Sequence, residues 1–116
     1  MINLIEKRGS FAVVAIDIKR IDAQNACMFR DELTALLNAG SASLILDMSA
    51  VEFVDSSGLG ALVGVFKSIG PRGDLALASP RPPVEKMLKL TRMDRVFRLF
   101  GTLREAVEAI AGVGSS

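Results

Sequence analysis

The sequence predicts an α/β fold in the order ββαβαβαβα, with a mixed, mostly parallel sheet packed with helices. Three observations carry this. Short β-branched runs alternate with segments whose apolar residues recur every three or four positions, as half-buried strands and amphipathic helices require. Glycine, proline and serine punctuate the joins. Half of the 116 residues are hydrophobic and the mean hydropathy is +0.39, enough for one domain over residues 1–116 with a sizeable core, its last stretch, about 112–116, a frayed tail.

Ile2–Glu6 and Phe11–Asp17 read as two strands joined by a hairpin turn at Lys7-Arg8-Gly9-Ser10. The run from Phe11 to Ile16 is almost wholly apolar, which places that strand inside the sheet with both faces buried. Asp22 offers an N-cap to a first helix whose inner face holds Ala26, Phe29, Leu33, Leu36 and Leu37, and which ends at Gly40. Cys27 falls within that spacing as a small packed residue. Ser43–Met48 follows as a strand parallel to an earlier one, and Val51–Val54 leads into a turn, Asp55-Ser56-Ser57-Gly58-Leu59-Gly60. Beyond it Leu59, Leu62, Phe66 and Ile69 share one helical face, while Gly60, Gly64 and Lys67 share another, and Gly70-Pro71 stops the helix. Asp74–Ala78 is a further strand. Pro82-Pro83 start a helix with Val84, Met87, Leu88 and Leu90 or Thr91 inward; Val96–Phe100 is the last strand, and Thr102 caps a final helix. Spacing leaves open whether helices cover one face of the sheet or both.

Composition narrows function. Fourteen basic against thirteen acidic residues give a net charge of +1, which argues against a dedicated nucleic-acid binder or an acidic-lipid anchor. The charge is polarised, net −3 over residues 1–58 and +4 over 59–116, but the later bases are spread over several elements. Histidine is absent, which removes the usual general base and the commonest metal ligand, so catalysis is disfavoured. A lone cysteine excludes an intrachain disulfide, no apolar run approaches the roughly 20 residues of a membrane span, and the first residues lack a secretory pattern; a cytoplasmic protein without membrane insertion is expected.

The turn at residues 55–60 carries four competing readings. Ser57 caps a helix that Gly58 and Gly60 let pack tightly, with Asp55 ordering the turn. Alternatively the glycines cradle a phosphate, although Gly58, Gly60 and Gly64 are spaced GxGxxxG rather than GxGxxG, and Phe66 stands where a P-loop before Lys67-Ser68 needs glycine. A nucleophilic serine is the third, without histidine or a GxSxG frame. In the fourth, a hydroxyl is a substrate that another enzyme phosphorylates. A phosphate beside Asp55 at a helix N-terminus would leave the fold standing and disturb any partner seated there.

The stretch VEFVDSSGLGALVGVFK, in a chain of this length and element order, closely resembles the bacterial anti-sigma factor antagonists of the STAS domain family; Asp22 before the first helix and SPRPPVEKMLKLTRMDRVF support the likeness, which spans essentially the whole chain. The resemblance implies a non-catalytic partner-switching protein. It would bind an anti-sigma factor that is also a serine kinase, be released when phosphorylated on Ser56, and be restored by a PP2C-type phosphatase. Ser57 is the neighbouring hydroxyl and second choice. By the same likeness the docking surface comprises Asp22, Asp55, Ser56, Ser57, Gly58, Leu59, Gly60, Gly64 and Lys67, ATP and metal belong to the partners, and the chain itself holds no cofactor and contacts no nucleic acid. Relatives often carry Gly-Glu-Leu-Asp before the first helix where this chain has Lys19-Arg20-Ile21-Asp22, and Gly-Leu where it has Arg92-Met93. The family also contains regulatory modules of transport and secretion systems, and a small-ligand module is a further alternative. Oligomeric state is left open.

Overall fold

The computed structural model describes residues 1–112, and the predicted tail beyond Gly112 lies outside them. A five-stranded sheet runs through the molecule in the order β1-β2-β4-β6-β7, with β1 at Ile2–Arg8, β2 at Phe11–Ile16, β4 at Ser43–Asp47, β6 at Leu75–Ala78 and β7 at Arg98–Phe100. Strand β1 is antiparallel to β2; the other pairings are parallel. The helices are α1 at Ala26–Asn38, α2 at Ser56–Ile69, α3 at Pro82–Leu90 and α4 at Leu103–Ala111. Two further strands, β3 at Arg20–Ile21 and β5 at Phe53–Val54, pair in parallel as a separate small sheet. Without them the order is the predicted ββαβαβαβα.

Both faces of the sheet are covered, and alternation along the strands explains how. Ala12, Val14, Ile16, Leu44, Leu46, Leu75 and Leu77 point to one side, where they meet Phe29 and Leu33 of α1, Leu62 and Val65 of α2, and Val84 and Leu88 of α3. Phe11, Val13, Ile45, Ala76 and Ala78 point to the other, under Ala106, with Leu103, Val107 and Ile110 of α4 against its rim. A strand buried on both faces cannot alternate in polarity, which is why β2 reads as a continuous apolar run. Each fully buried leucine contributes roughly 1.5–3 kcal/mol relative to an exposed one. The segment entering the last strand is locked to α2 by Phe66 and Phe97, whose rings meet edge to face at 6.0 Å.

Several local expectations are corrected. Helix α1 begins at Ala26 with Asn25 as its N-cap, not at Asp22, because Asp22 is engaged in a turn of its own. Asp55 rather than Ser57 caps α2. Cys27 is exposed, since the inward stripe of α1 passes through Ala26, Phe29 and Leu33 and leaves Cys27 beside it. Leu90 is 74% exposed and Thr91 is exposed, because Val84 and Leu88 already complete the inner face of α3. The hairpin is tighter than predicted, with strands reaching Arg8 and Phe11 and only Gly9-Ser10 between; Gly9, at φ 56°, takes the first central position where a II′ turn favours glycine. The final strand starts at Arg98, after a 3₁₀ turn at Met93–Arg95.

That turn is entered through Arg92 at φ 60°, ψ 22°, a left-handed conformation that costs a non-glycine residue about 1–2 kcal/mol. Glycine's greater freedom in the unfolded chain offsets roughly 0.5–1 kcal/mol of the gain from relieving it. Arg92→Gly is therefore expected to stabilise the protein by up to about 1.5 kcal/mol, raising Tm by up to roughly 8 °C in a thermal melt; a lowered Tm would contradict the account.

Candidate functional site

The small β3–β5 sheet holds the Asp55–Gly60 turn in place. The backbone N–H groups of Glu52 and Phe53 donate to the carbonyl of Lys19 at 2.7 and 3.1 Å, and that of Asp55 donates to the carbonyl of Ile21 at 3.1 Å. Arg20 therefore stands opposite Phe53, and Ile21 opposite Val54. Both chain segments then leave the sheet at the same end, into Asp22 and Asp55.

Asp55 adopts an extended backbone, φ −93° and ψ −173°, and its Oδ1 accepts from the Gly58 N–H at 2.9 Å. This is N-capping by a carboxylate, favoured by the positive end of the helix dipole. A phosphate cradle would need that N–H for its own ligand, so the geometry weighs against the nucleotide reading. Ser56 and Ser57 are the first two helical residues and both are exposed. With capping done by Asp55, neither hydroxyl has a hydrogen-bond partner within the described chain. Both are free for an outside partner.

The glycines divide into two kinds. Gly58 is buried, and a Cβ placed there would collide with the Ile21 carbonyl oxygen and come within 2.9 Å of side-chain carbons of Ile21 and Val54. Its lack of a side chain lets α2 rest directly on the small sheet. Gly60 faces open space, with nothing within 4 Å of the point a Cβ would occupy. Gly64 is crossed by the Arg30 stem, whose Cδ would lie 3.1 Å from a Cβ, so α1 and α2 pack closely there. Lys67 is exposed in the last turn of α2, where a cation complements the dipole. Leu59 is half-buried against the core, which ties it more to packing than to a contact surface.

Asp22 reaches the site by another route than helix capping. Its Oδ1 accepts from the Gln24 N–H at 3.0 Å, its own N–H donates to Asn25 Oδ1 at 3.0 Å, and Asn25 Nδ2 donates to the Arg20 carbonyl at 2.8 Å. Asn25, which sequence spacing places inside the helix, is the brace of this corner. Arg20 and Phe53 are functional candidates that sequence reasoning misses, although the guanidinium carbon lies 4.3 Å from the Phe53 ring centroid and Nε lies 3.6 Å from Asp22 Oδ2. No sequence signal marks them, because what brings them together is the register of two-residue strands in the folded chain. Between the N-terminal halves of α1 and α2 runs a groove of about 220 Å³, floored by Ala26, Gly60 and Ala61 and rimmed by Cys27, Arg30 and Ser57. Among the described residues no group of three His, Cys, Asp or Glu side chains converges to hold a metal ion, and no helix is long and apolar enough to cross a membrane.

A family model for the STAS domain matches residues 4–106. The chain belongs to the STAS domain family. It is 36% identical over 100 residues to a Thermotoga maritima protein whose name marks it as a candidate anti-sigma factor antagonist, the match covering 84% of this chain and 88% of that one. It is 28% identical over 92 residues to the anti-sigma-F factor antagonist RsfB of Mycobacterium tuberculosis, covering 79% of this chain and 75% of the relative. Among solved structures, an anti-sigma factor antagonist from Mycobacterium paratuberculosis superposes with a TM-score of 0.83 at 27% identity, covering 96% of this chain and 95% of that one. The STAS domain fold is thus common ground with these proteins.

The two glycines give opposite expectations for substitution. Gly58→Ala should destabilise by roughly 1–3 kcal/mol, since the backbone of Ile21 must move. Gly60→Ala should be neutral or stabilising by up to about 1 kcal/mol, because the site is open and alanine is the better helix former. Urea denaturation of both variants checks this; equal effects would mean that α2 is not seated on the small sheet.

Proposed function

We propose that this STAS domain is an anti-sigma factor antagonist: a cytoplasmic, non-catalytic partner-switching protein that binds an anti-sigma factor with serine kinase activity and is released by phosphorylation of Ser56. A PP2C-type phosphatase restores binding in this scheme. The observation that carries the reading is the state of Ser56, exposed on the first turn of α2 with its hydroxyl free of bonds to the described chain while Asp55 does the capping. A hydroxyl that had to cap could not be modified without cost to the helix. Here it can.

The surface that surrounds Ser56 supports binding rather than turnover. Ser57 and Gly60 are exposed beside it, Gly64 and Lys67 continue along the same helix, and Asp22 lies at the matching end of β3. Without histidine, neither serine has the usual proton acceptor of a hydrolase. Phosphate on Ser56 adds about −1.5 to −2 charges next to Asp55. The helix N-terminus tolerates them in water, whereas a partner covering the turn has to bury an uncompensated dianion.

The experiment is phosphate transfer from the purified kinase partner and ATP. One phosphate is expected, at Ser56, and Ser56→Asp should weaken the complex roughly 100-fold, about 2.7 kcal/mol, with the circular dichroism spectrum unchanged. Transfer that persists at the same level in Ser56→Ala would move the assignment to Ser57, and saturable micromolar binding of a nucleotide or lipid by the isolated domain would count against a pure switch.

A further inference from the structure

A six-residue turn cannot by itself form a stable complex, since a standard interface takes about 800 Å² from each partner. The surface must extend, and the observations point to one direction. Phe53 is 40% exposed and belongs to neither core cluster, so its ring is not part of the packing that holds the sheet. Arg20 lies across its ring at 4.3 Å, opposite it in the β3–β5 register. The Arg20 side chain is 60% exposed, and its ionic neighbour among the described residues, Asp22 Oδ2, stands 3.6 Å from Nε, beyond hydrogen-bonding distance. Its in-plane donors have no hydrogen bond within the described chain.

We propose that Arg20 and Phe53 form a specificity clamp continuous with the Ser56 turn, which takes a partner carboxylate flanked by an apolar side chain. This rests on the reading of that turn as the docking surface for an anti-sigma factor. The guanidinium lies over the ring with Asp22 on its Nε side, and its two Nη groups, without a hydrogen bond in the described chain, form the edge that can receive a carboxylate through two parallel N–H···O bonds. The uncovered part of the ring supplies the apolar contact. Arginine and aromatic residues are the types that dominate interface hot spots, and here the two are already paired in the free protein, so little ordering is required on binding. Position argues the same way. Strands β3 and β5 run directly into Asp22 and Asp55, hence a partner seated on Ser56 also covers Arg20 and Phe53. Of the residues lining the groove between α1 and α2 the one large side chain is Arg30, whose stem is laid over Gly64. A polyanion is a poorer occupant than a single carboxylate, because the Asp22 carboxylate already stands beside the guanidinium.

Calorimetric titration against each purified anti-sigma factor kinase of the source organism tests the clamp. Arg20→Ala and Phe53→Ala are each expected to raise Kd at least ~10-fold, with Tm nearly unchanged. Arg20→Lys should lie between Arg20→Ala and the parent, since it keeps the charge and loses the fork. Arg20→Ala should also reduce the salt dependence of binding, and Phe53→Ala should not. Phe53→Leu, which keeps a bulky strand residue, guards against loosening of β5 and should still lose at least ~5-fold. Kd values within about 2-fold of the parent for Arg20→Ala and Phe53→Leu, with Ser56→Asp still weakening binding roughly 100-fold, would overturn the clamp and leave the phosphorylation switch standing. Absence of binding by the parent protein to all of these kinases would overturn both.

Discussion

The contact between Gly58 and the Ile21 carbonyl is the constraint on which the arrangement of the site depends. Strands β3 and β5 contain two residues each, too few to be stable by their own hydrogen bonds, yet they determine where α2 begins. Gly58 lets the first turn of the helix sit on Ile21 and Val54, and the Asp55 N–H bonds the same Ile21 carbonyl. Ile21 and Val54 are in turn buried in the main core with Met48 and Val51. A local turn is thereby fastened to the centre of the protein, and the exposed residues that it carries inherit a fixed position.

The two layers of helices make this economical. Three helices share the larger core on one face of the sheet, and α4 alone closes the other with Ala106 at its centre. Because α1 and α2 both pack on the same side, their N-terminal ends come together, and the segments before them, 17–25 and 48–55, meet as the small sheet. The site is a consequence of that shared face. Asp22 and Asp55 are 33 positions apart in sequence (55 minus 22) but leave paired strands side by side.

Most of the sheet and all four helices are legible in the sequence, because periodicity reports burial and burial is what those elements share. Strand β2 is readable as doubly buried from Phe11 to Ile16, and Gly70, at φ 74°, ends α2 where Gly70-Pro71 predicts. What escapes are features decided by a single contact. Asp22 has the right chemistry for an N-cap, and so does Asn25; only the chain of bonds linking Asp22, Asn25 and Arg20 explains why the helix waits until residue 26. Ser57 against Asp55 is the same ambiguity, resolved by which side-chain oxygen faces Gly58. Two-residue strands have no period at all, so β3 and β5, and with them the meeting of Arg20 and Phe53, are invisible before the chain is folded.

The glycines of the turn show why composition alone mistakes the logic of such a site. Gly58 and Gly60 are two residues apart on one helix and look alike in sequence, yet one is a packing requirement and the other is open surface. On a helix, two positions correspond to a rotation of about 200°, so a residue directed into the small sheet guarantees that its second neighbour is directed away from it. Ser56, two positions before Gly58, stays exposed for the same reason, and Ser57, about 100° round from Gly58, is exposed at the flank. Rigidity below and access above are therefore one geometric fact. In the proposed switch this separation is what matters: the Gly58 contact holds the helix from its inner side, about half a turn round from Ser56. The added charge then acts on association, and the fold is insulated from it by the half-turn between the two faces.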